Sequence, residues 1–346
     1  MGRFLTHEKV EQAGWRKSSS SLSDTARSGV GLYSKTGSGP YAFCLPVECA
    51  SENLFLGIRE ESIDYFRSPP GPYGGGIAIP WHDGKDGFPS THLCDSQVCC
   101  VNFLFALRNK RDALTLLLKT AFEDCASAAP VQEGETGCVE FEWVGDPSVE
   151  LIGEGKRRTR GANATSTDAA ACFVDEQGNR HLVLIEWKYT ESYPVSERVD
   201  NKFDGKSGLT RRGRYELLFL DPHGPINSEL VALHDLGYEP FYQFLRQQLL
   251  ADALSPNFAS VRVLHLAPRA NADFQRVTSA ALRDRGLGET ATGVWGSLIR
   301  ESGAFRSLAI EDAFAPVLAA PGYELSDWAD YIRERYSFVC GTASTG

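Results

Sequence analysis

The chain has 346 residues, 42% of them apolar and 23% charged, with a formal net charge of −10. That composition is globular, and the length fits one elaborated domain or two. The acidic balance argues against a nonspecific nucleic-acid coat, no apolar run approaches a membrane span, and the N-terminus "MGRFLTHEKVEQAGW" lacks the apolar core of a secretory signal.

In chain order, residues 1–92 are rich in turn formers, with "RKSSSSLSD" and "SPPGPYGGG" as the clearest loops. They read as a loop-rich N-terminal subdomain with a few short strands, "GIAIP" (76–80) among them. From 95 the texture changes. "DSQVCCVNFLFALRNK" spaces Val98, Phe103 and Leu107 as a helix behind an Asp95/Ser96 cap, and "RDALTLLLKTAFED" continues with a second helix ending near Asp124. "CVEFEWV" (138–144) alternates apolar and acidic residues as a strand does. After the basic loop "GKRRTRG", residues 165–175 and 180–190 read as two strands around the turn "EQGN". The apolar middle of the second predicts a central strand covered on both faces. "EPFYQFLRQQLLADAL" (239–254) is an amphipathic helix, "SVRVLHLAPR" (260–269) a fourth strand, and "ELSDWADYIRERY" (324–336) a further helix. Residues 93–275 thus form an α/β core of helices on a mixed sheet, and 276–346 a helical C-terminal segment packed on it. Nine cysteines occur without zinc-type CxxC spacing, which reads as buried thiols in a reducing, cytoplasmic setting.

The two strands around Gln177-Gly178 permit a geometric test. In a hairpin of that register Asp168 faces position 186 or 187, so Asp168 and Glu186 are neighbours across the ladder. Strand side chains alternate, so Glu186 and Lys188 share one face, while Trp187 and Tyr189 take the other as core. Two close carboxylates repel unless a cation lies between them. A hard divalent ion such as Mg²⁺, or Mn²⁺, suits such oxygens, and the Trp187 backbone carbonyl is placed to be a third ligand. Lys188 would orient a water or neutralise charge in the transition state. The bland alternative is a surface ion pair at a strand end, with Asp168 as a turn residue.

Asp168, seventeen intervening residues, then Glu186-Trp187-Lys188 resembles the PD-(D/E)XK nuclease superfamily, whose restriction-endonuclease-like fold has an αβββαβ core. The string "RGANATSTDAA … LVLIEWKYTESY" is similar to a bacterial subgroup of uncharacterised members. The likeness covers about 138–270, with the helices of 95–124 supplying the first core helix. Thr167 stands where the superfamily's first motif often has proline.

The resemblance implies a metal-dependent nuclease, in first place a DNA endonuclease, with a role in restriction, phage defence or DNA repair. It implies Asp168, Glu186 and Lys188 as catalytic residues, and a homodimer by analogy. It also implies a further acidic ligand, for which Glu123 and Glu142 both stand open, and a polar helix residue, Gln243. Arg157, Arg158 and Arg160 lead into Asp168 and read either as phosphate contacts or as a solvated loop; Thr165 and Ser166 would bind phosphate or satisfy a turn. A second basic cluster runs from Lys202 to Arg214. The histidines form no ligand set: His265 reads as structural, and His82 and His92 lie in loops without an identifiable partner. No phosphate loop of the P-loop type occurs, which argues against ATP. A non-cleaving nucleic-acid- or protein-binding module on the same fold is the alternative, and hydrolysis of a small nucleotide ranks last.

Overall fold

The computed structural model describes residues 2–69, 78–146, 151–153 and 164–340. The first part is helical: α1 (Arg3–Ser18), α2 (Asp24–Ser28) and α3 (Arg59–Arg67). Of the short strand expected at 76–80, residues 78–80 are irregular, and 76 and 77 lie outside the described residues. Next come α4 (Ser96–Leu104), α5 (Arg111–Ala121), β1 (Ser127–Ala129), β2 (Val139–Trp143), β3 (Thr167–Val174) and β4 (Arg180–Trp187). Then follow α6 (Gly205–Leu220), α7 (Phe241–Leu254), β5 (Ser260–Ala267), α8 (Ala280–Arg285), α9 (Ala291–Leu298), β6 (Phe305–Ala309), α10 (Ile310–Ala319) and α11 (Ser326–Arg335).

Among the described residues the strands make one six-stranded mixed sheet in the order β1-β3-β4-β5-β6, with β2 also paired to β3. β3 and β4 are an antiparallel hairpin, while β4 to β5 and β5 to β6 are parallel. A parallel pair needs a crossover, and α6 and α7 supply the one between β4 and β5. The result is the α/β, restriction-endonuclease-like architecture expected. The hairpin turn is made by Asp175, whose Oδ1 accepts the N–H groups of Gln177 (2.9 Å) and Asn179 (2.8 Å), and by Gly178 at φ 83°. The expected cap of α4 is present: Asp95 Oδ1 accepts the Val98 N–H at 2.8 Å.

Alternation along the strands sorts the sheet's two faces. Ala169, Ala171, Phe173, Val183, Ile185 and Trp187 enter a large core with α4, α5, α10 and α11. Ala170, Cys172, Leu182, Leu184 and Val263 pack on Leu250, Ala251 and Leu254 of α7. The three alanines of β3 give both helical layers close access to a strand with neighbours on each side. The large core also holds Phe4 and Trp15 of α1, so both ends of the described chain pack behind the sheet. The nine cysteines are free thiols, all buried except Cys340. No helix among the described residues is long and apolar enough to cross a membrane.

Candidate active site

The hairpin register pairs Ala169 with Ile185. One step nearer the sheet's edge, Asp168 stands opposite Glu186, on the face that looks toward α7. There Asp168 Oδ2 accepts the Trp187 main-chain N–H at 2.7 Å, which ties the two strands at their open end. Glu186 is buried, and both its oxygens are held: Lys188 Nζ contacts Oε1 and Gln247 Nε2 of α7 donates to Oε2. Trp187 and Tyr189 point the other way. Trp187 packs on Phe103 (5.2 Å between centroids) and Phe314, and Tyr189 on Phe4, Tyr336 and Phe338.

Glu142 joins the group from β2. Its neighbours Phe141 and Trp143 pair with Ala169 and Thr167, so it lies across from Asp168. Its φ of 45° is a left-handed value that a glutamate rarely adopts. This kink breaks the strand's alternation: Val139 and Phe141 enter the large core, whereas Trp143 packs on the α7 side. Glu142 Oε1 accepts from His82 Nε2 (3.0 Å) and Gln97 Nε2 (2.8 Å), and its Oε2 from Ser166 Oγ (3.3 Å).

The charges interact strongly because little water reaches them. Burial pushes the Asp168 carboxyl up, the Lys188 ammonium draws it back, and the Glu142 charge raises it again. Burial and then the Asp168 charge push Glu186 up as well. Burial alone would lower Lys188, but the anions around it, Glu186 foremost, hold it well above the usual lysine value. Lys188 is therefore a cation. The hydrogen bond from His82 to Glu142 raises His82 to about 9, so a second cation borders the site at neutral pH.

A hard divalent cation fits this donor set. Asp168 and Glu186 are oxygen donors whose like charges destabilise each other, and Asp168 Oδ1 receives no hydrogen bond from the described residues. The described residues contain no cluster of three or more His, Cys, Asp or Glu side chains arranged for a metal. The oxygens that could take such an ion are those of Asp168 and Glu186, although Lys188 and Gln247 already hold both Glu186 oxygens.

The other expected residues divide. Glu123 is exposed and lines a cavity with Ser260 and Arg262 at the start of β5, the opposite end of the sheet from Asp168, so of the two acids only Glu142 joins the group. Gln243 is half-buried with its N–H on Glu239 Oε2 (3.2 Å); Gln247, one turn along the same face of α7, is the glutamine that meets Glu186. Thr165 Oγ1 accepts from Arg246 Nη2 (2.9 Å), while Ser166 reaches Glu142. Arg157, Arg158 and Arg160 lie outside the described residues. In the second basic cluster, Arg211 and Arg212 hold the carbonyls of Lys202 and Phe203 ahead of α6. His265 is structural: it is buried, stacks on Phe274 at 4.8 Å, and burial pushes it down to about 3.

Asp168, Trp187 and Lys188 form one end of a cleft of about 650 Å³, which continues past His82 and Asp95 to Tyr33, Tyr41 and Phe43. No curated protein and no solved structure matches the chain. A family model described as Restriction Endonuclease associating with ARP matches residues 8–337. That span runs from Glu8 in α1 to Ser337 just beyond α11 and takes in every residue of the site. With nearly its whole length matched, the chain belongs to this restriction-endonuclease-like family.

Proposed function

We propose that the protein is a nuclease of the PD-(D/E)XK type that hydrolyses phosphodiester bonds in DNA with Mg²⁺ or Mn²⁺. The observation that carries this reading is the convergence of Asp168, Glu186 and Lys188 at one sheet edge, with Asp168 and Lys188 lining a cleft and Glu186 buried behind them. Stability does not explain it, because a buried ion pair is seldom worth its desolvation and a second buried carboxylate beside it adds repulsion. The membership of a restriction-endonuclease family points the same way.

In this reading Asp168 and Glu186, with the Trp187 carbonyl as a third oxygen, would hold the ion. When bound, the ion would lower the pKa of a water and offset charge on the phosphoryl group. Lys188, held as a cation by Glu186, would orient the attacking water or neutralise charge in the transition state. Gln247 and Lys188 fix the Glu186 rotamer, and the Trp187 N–H fixes that of Asp168. Ser166 and Gln97 hold Glu142, which adds negative potential beside Asp168. Arg157, Arg158 and Arg160 are proposed phosphate contacts. The family likeness adds a 3′-hydroxyl and a 5′-phosphate as products, a homodimer by analogy, and a cytoplasmic role in phage defence or repair.

The test is purified protein with plasmid, linear and single-stranded DNA, with Mg²⁺ or with EDTA. Cleavage with Mg²⁺ alone, lost in Glu186→Gln and Lys188→Ala, is expected. Equal cleavage by either variant removes the site assignment. A non-cleaving binding module is favoured by one observation, that both Glu186 oxygens are already occupied by protein donors. Salt-dependent DNA binding without metal-dependent cleavage would select it.

A further inference from the structure

The far wall of the cleft plays no part in that chemistry. It is aromatic. Tyr41 and Phe43 stack with centroids 5.2 Å apart and planes 15° from parallel. His92 lies against Phe43 at 5.0 Å, and Lys9 Nζ sits 4.4 Å from the Phe43 centroid. Tyr41 is the exposed end of the stack: it is 39% accessible and has no second ring partner among the described residues. These residues line the same cleft as Asp168 and Lys188.

Two stacked rings at a cleft wall, the outer one open to solvent, are a poor use of apolar surface unless something flat lies on the outer face. The volume, about 650 Å³, suits a small-molecule-sized group and leaves no room for a duplex. The polar lining also speaks to the occupant. Asp83 and Asp95 border the cleft, and Asp83 is already paired with Lys35 at 2.7 Å. Phosphates crowded against those carboxylates would be repelled, so what fills this end is an uncharged ring. His92 is consistent with that: its Nδ1 accepts the Cys94 N–H at 3.1 Å, which assigns the ring proton to Nε2 as a donor, and burial pushes the group down to about 4, so the ring is neutral.

We propose that the Tyr41–Phe43 wall stacks an unpaired base of the substrate strand, so that the site acts on single-stranded or locally unpaired nucleic acid. The inference rests on the nuclease reading only for the word substrate; the stacking is a binding property of its own. Aromatic platforms beside cations bind single strands in this way and tolerate any base, since every base has a ring face. The phosphate next to the stacked base would then run toward Lys188 and Asp168 at the cleft's other end.

The test uses the full chain in EDTA, so that nothing is cut, and dye-labelled oligonucleotides read by fluorescence anisotropy. Three probes share one length: a single strand, its duplex, and a strand with consecutive abasic positions, which keeps the phosphates and removes the rings. The wild type should bind the single strand at least ten-fold tighter than the duplex or the abasic strand. Tyr41→Ala with Phe43→Ala should lose five-fold or more on the single strand and nothing further on the abasic one. The single variant Tyr41→Leu, at an exposed position, should show part of the same loss with an unchanged melting temperature. Equal binding of normal and abasic strands by the wild type, or wild-type binding by the double variant, overturns the proposal. Failure of the nuclease reading looks different: no strand is cut with any metal, while the dependence on the rings persists.

Discussion

The main-chain N–H of Trp187 donates to Asp168 Oδ2 at 2.7 Å, so the residue after one carboxylate of the site holds the other in place. Asparagine can accept the same bond through its side-chain oxygen. If Asp168 is a metal ligand as proposed, Asp168→Asn should keep the fold and remove cleavage, to below about one-hundredth of wild type. It should also raise stability. Burial and the Glu142 charge raise Asp168 above its unfolded value, so its contribution is full below the ordinary aspartate range and is lost as pH rises through the folded value. The metal-free wild type should lose melting temperature as pH rises above the ordinary aspartate range, Mg²⁺ should restore it, and Asp168→Asn should flatten the slope with a midpoint higher by about 2 °C. An unchanged midpoint and slope would show that the carboxylate carries no strain.

Gln247 is the side chain that α7 contributes. Gln247→Leu is close in size but leaves Glu186 Oε2 without its donor. Activity should fall about 10–100-fold, with the Mg²⁺ concentration for half-maximal rate rising, as for other residues that orient a ligand. Losing the donor also raises Glu186 further, so the acid limb of the pH–rate profile should move to higher pH. A fall in activity with neither the metal requirement nor the pH limb displaced would mean that Gln247 serves packing alone.

His82 supplies a pH dependence of opposite origin. Glu142 raises it to about 9, above the unfolded value of about 6.5. The pair's contribution is thus complete below about pH 6.5 and disappears as pH rises through 9. Because the His82 side chain is largely exposed, the effect on stability is small. The sharper measurement is the imidazole itself: NMR titration should place His82 near 9 in the wild type and near 6.5 in Glu142→Gln. Identical midpoints in the two proteins would remove His82 as a cation of the site.

Trp187 anchors the reverse face. It fills the space between Phe103 and Phe314, so Trp187→Ala should cost about 3–5 kcal/mol in urea unfolding. Trp187→Phe should cost much less and retain activity, because the Asp168 bond comes from the backbone. A Trp187→Ala protein of normal stability would contradict the packing described.

The sheet and the triad were legible because their signals are local. Alternation, a glycine turn and the spacing of Asp168 from Glu186 define a hairpin without help from the rest of the chain. The helix α1 was not. Its buried positions include Glu8, Gln12 and Arg16, so a search for apolar periodicity passes over it. Those residues are paid for by distant partners: Arg16 bonds the carbonyls of Ala26 and Gly29, and Gln12 bonds Tyr189 and Arg335. His82 was unreadable for the same reason, since Glu142 lies sixty residues away. Gln247 was within reach: it repeats the position of Gln243 one helical turn on, and the choice between them depends on how far α7 slides along the sheet. β6 is a short, half-exposed strand with no strong pattern of its own.

Tyr189 continues the site strand, and behind it its hydroxyl donates to Glu8 of α1, Gln12 bonds it and Arg335, and Tyr336 packs on its ring. Gln12 and Arg335 are 323 positions apart. A ribosome has therefore finished Asp168, Glu186 and Lys188 long before the chain that braces them exists. The nascent hairpin can form early, but its back remains open until residues near 336 emerge.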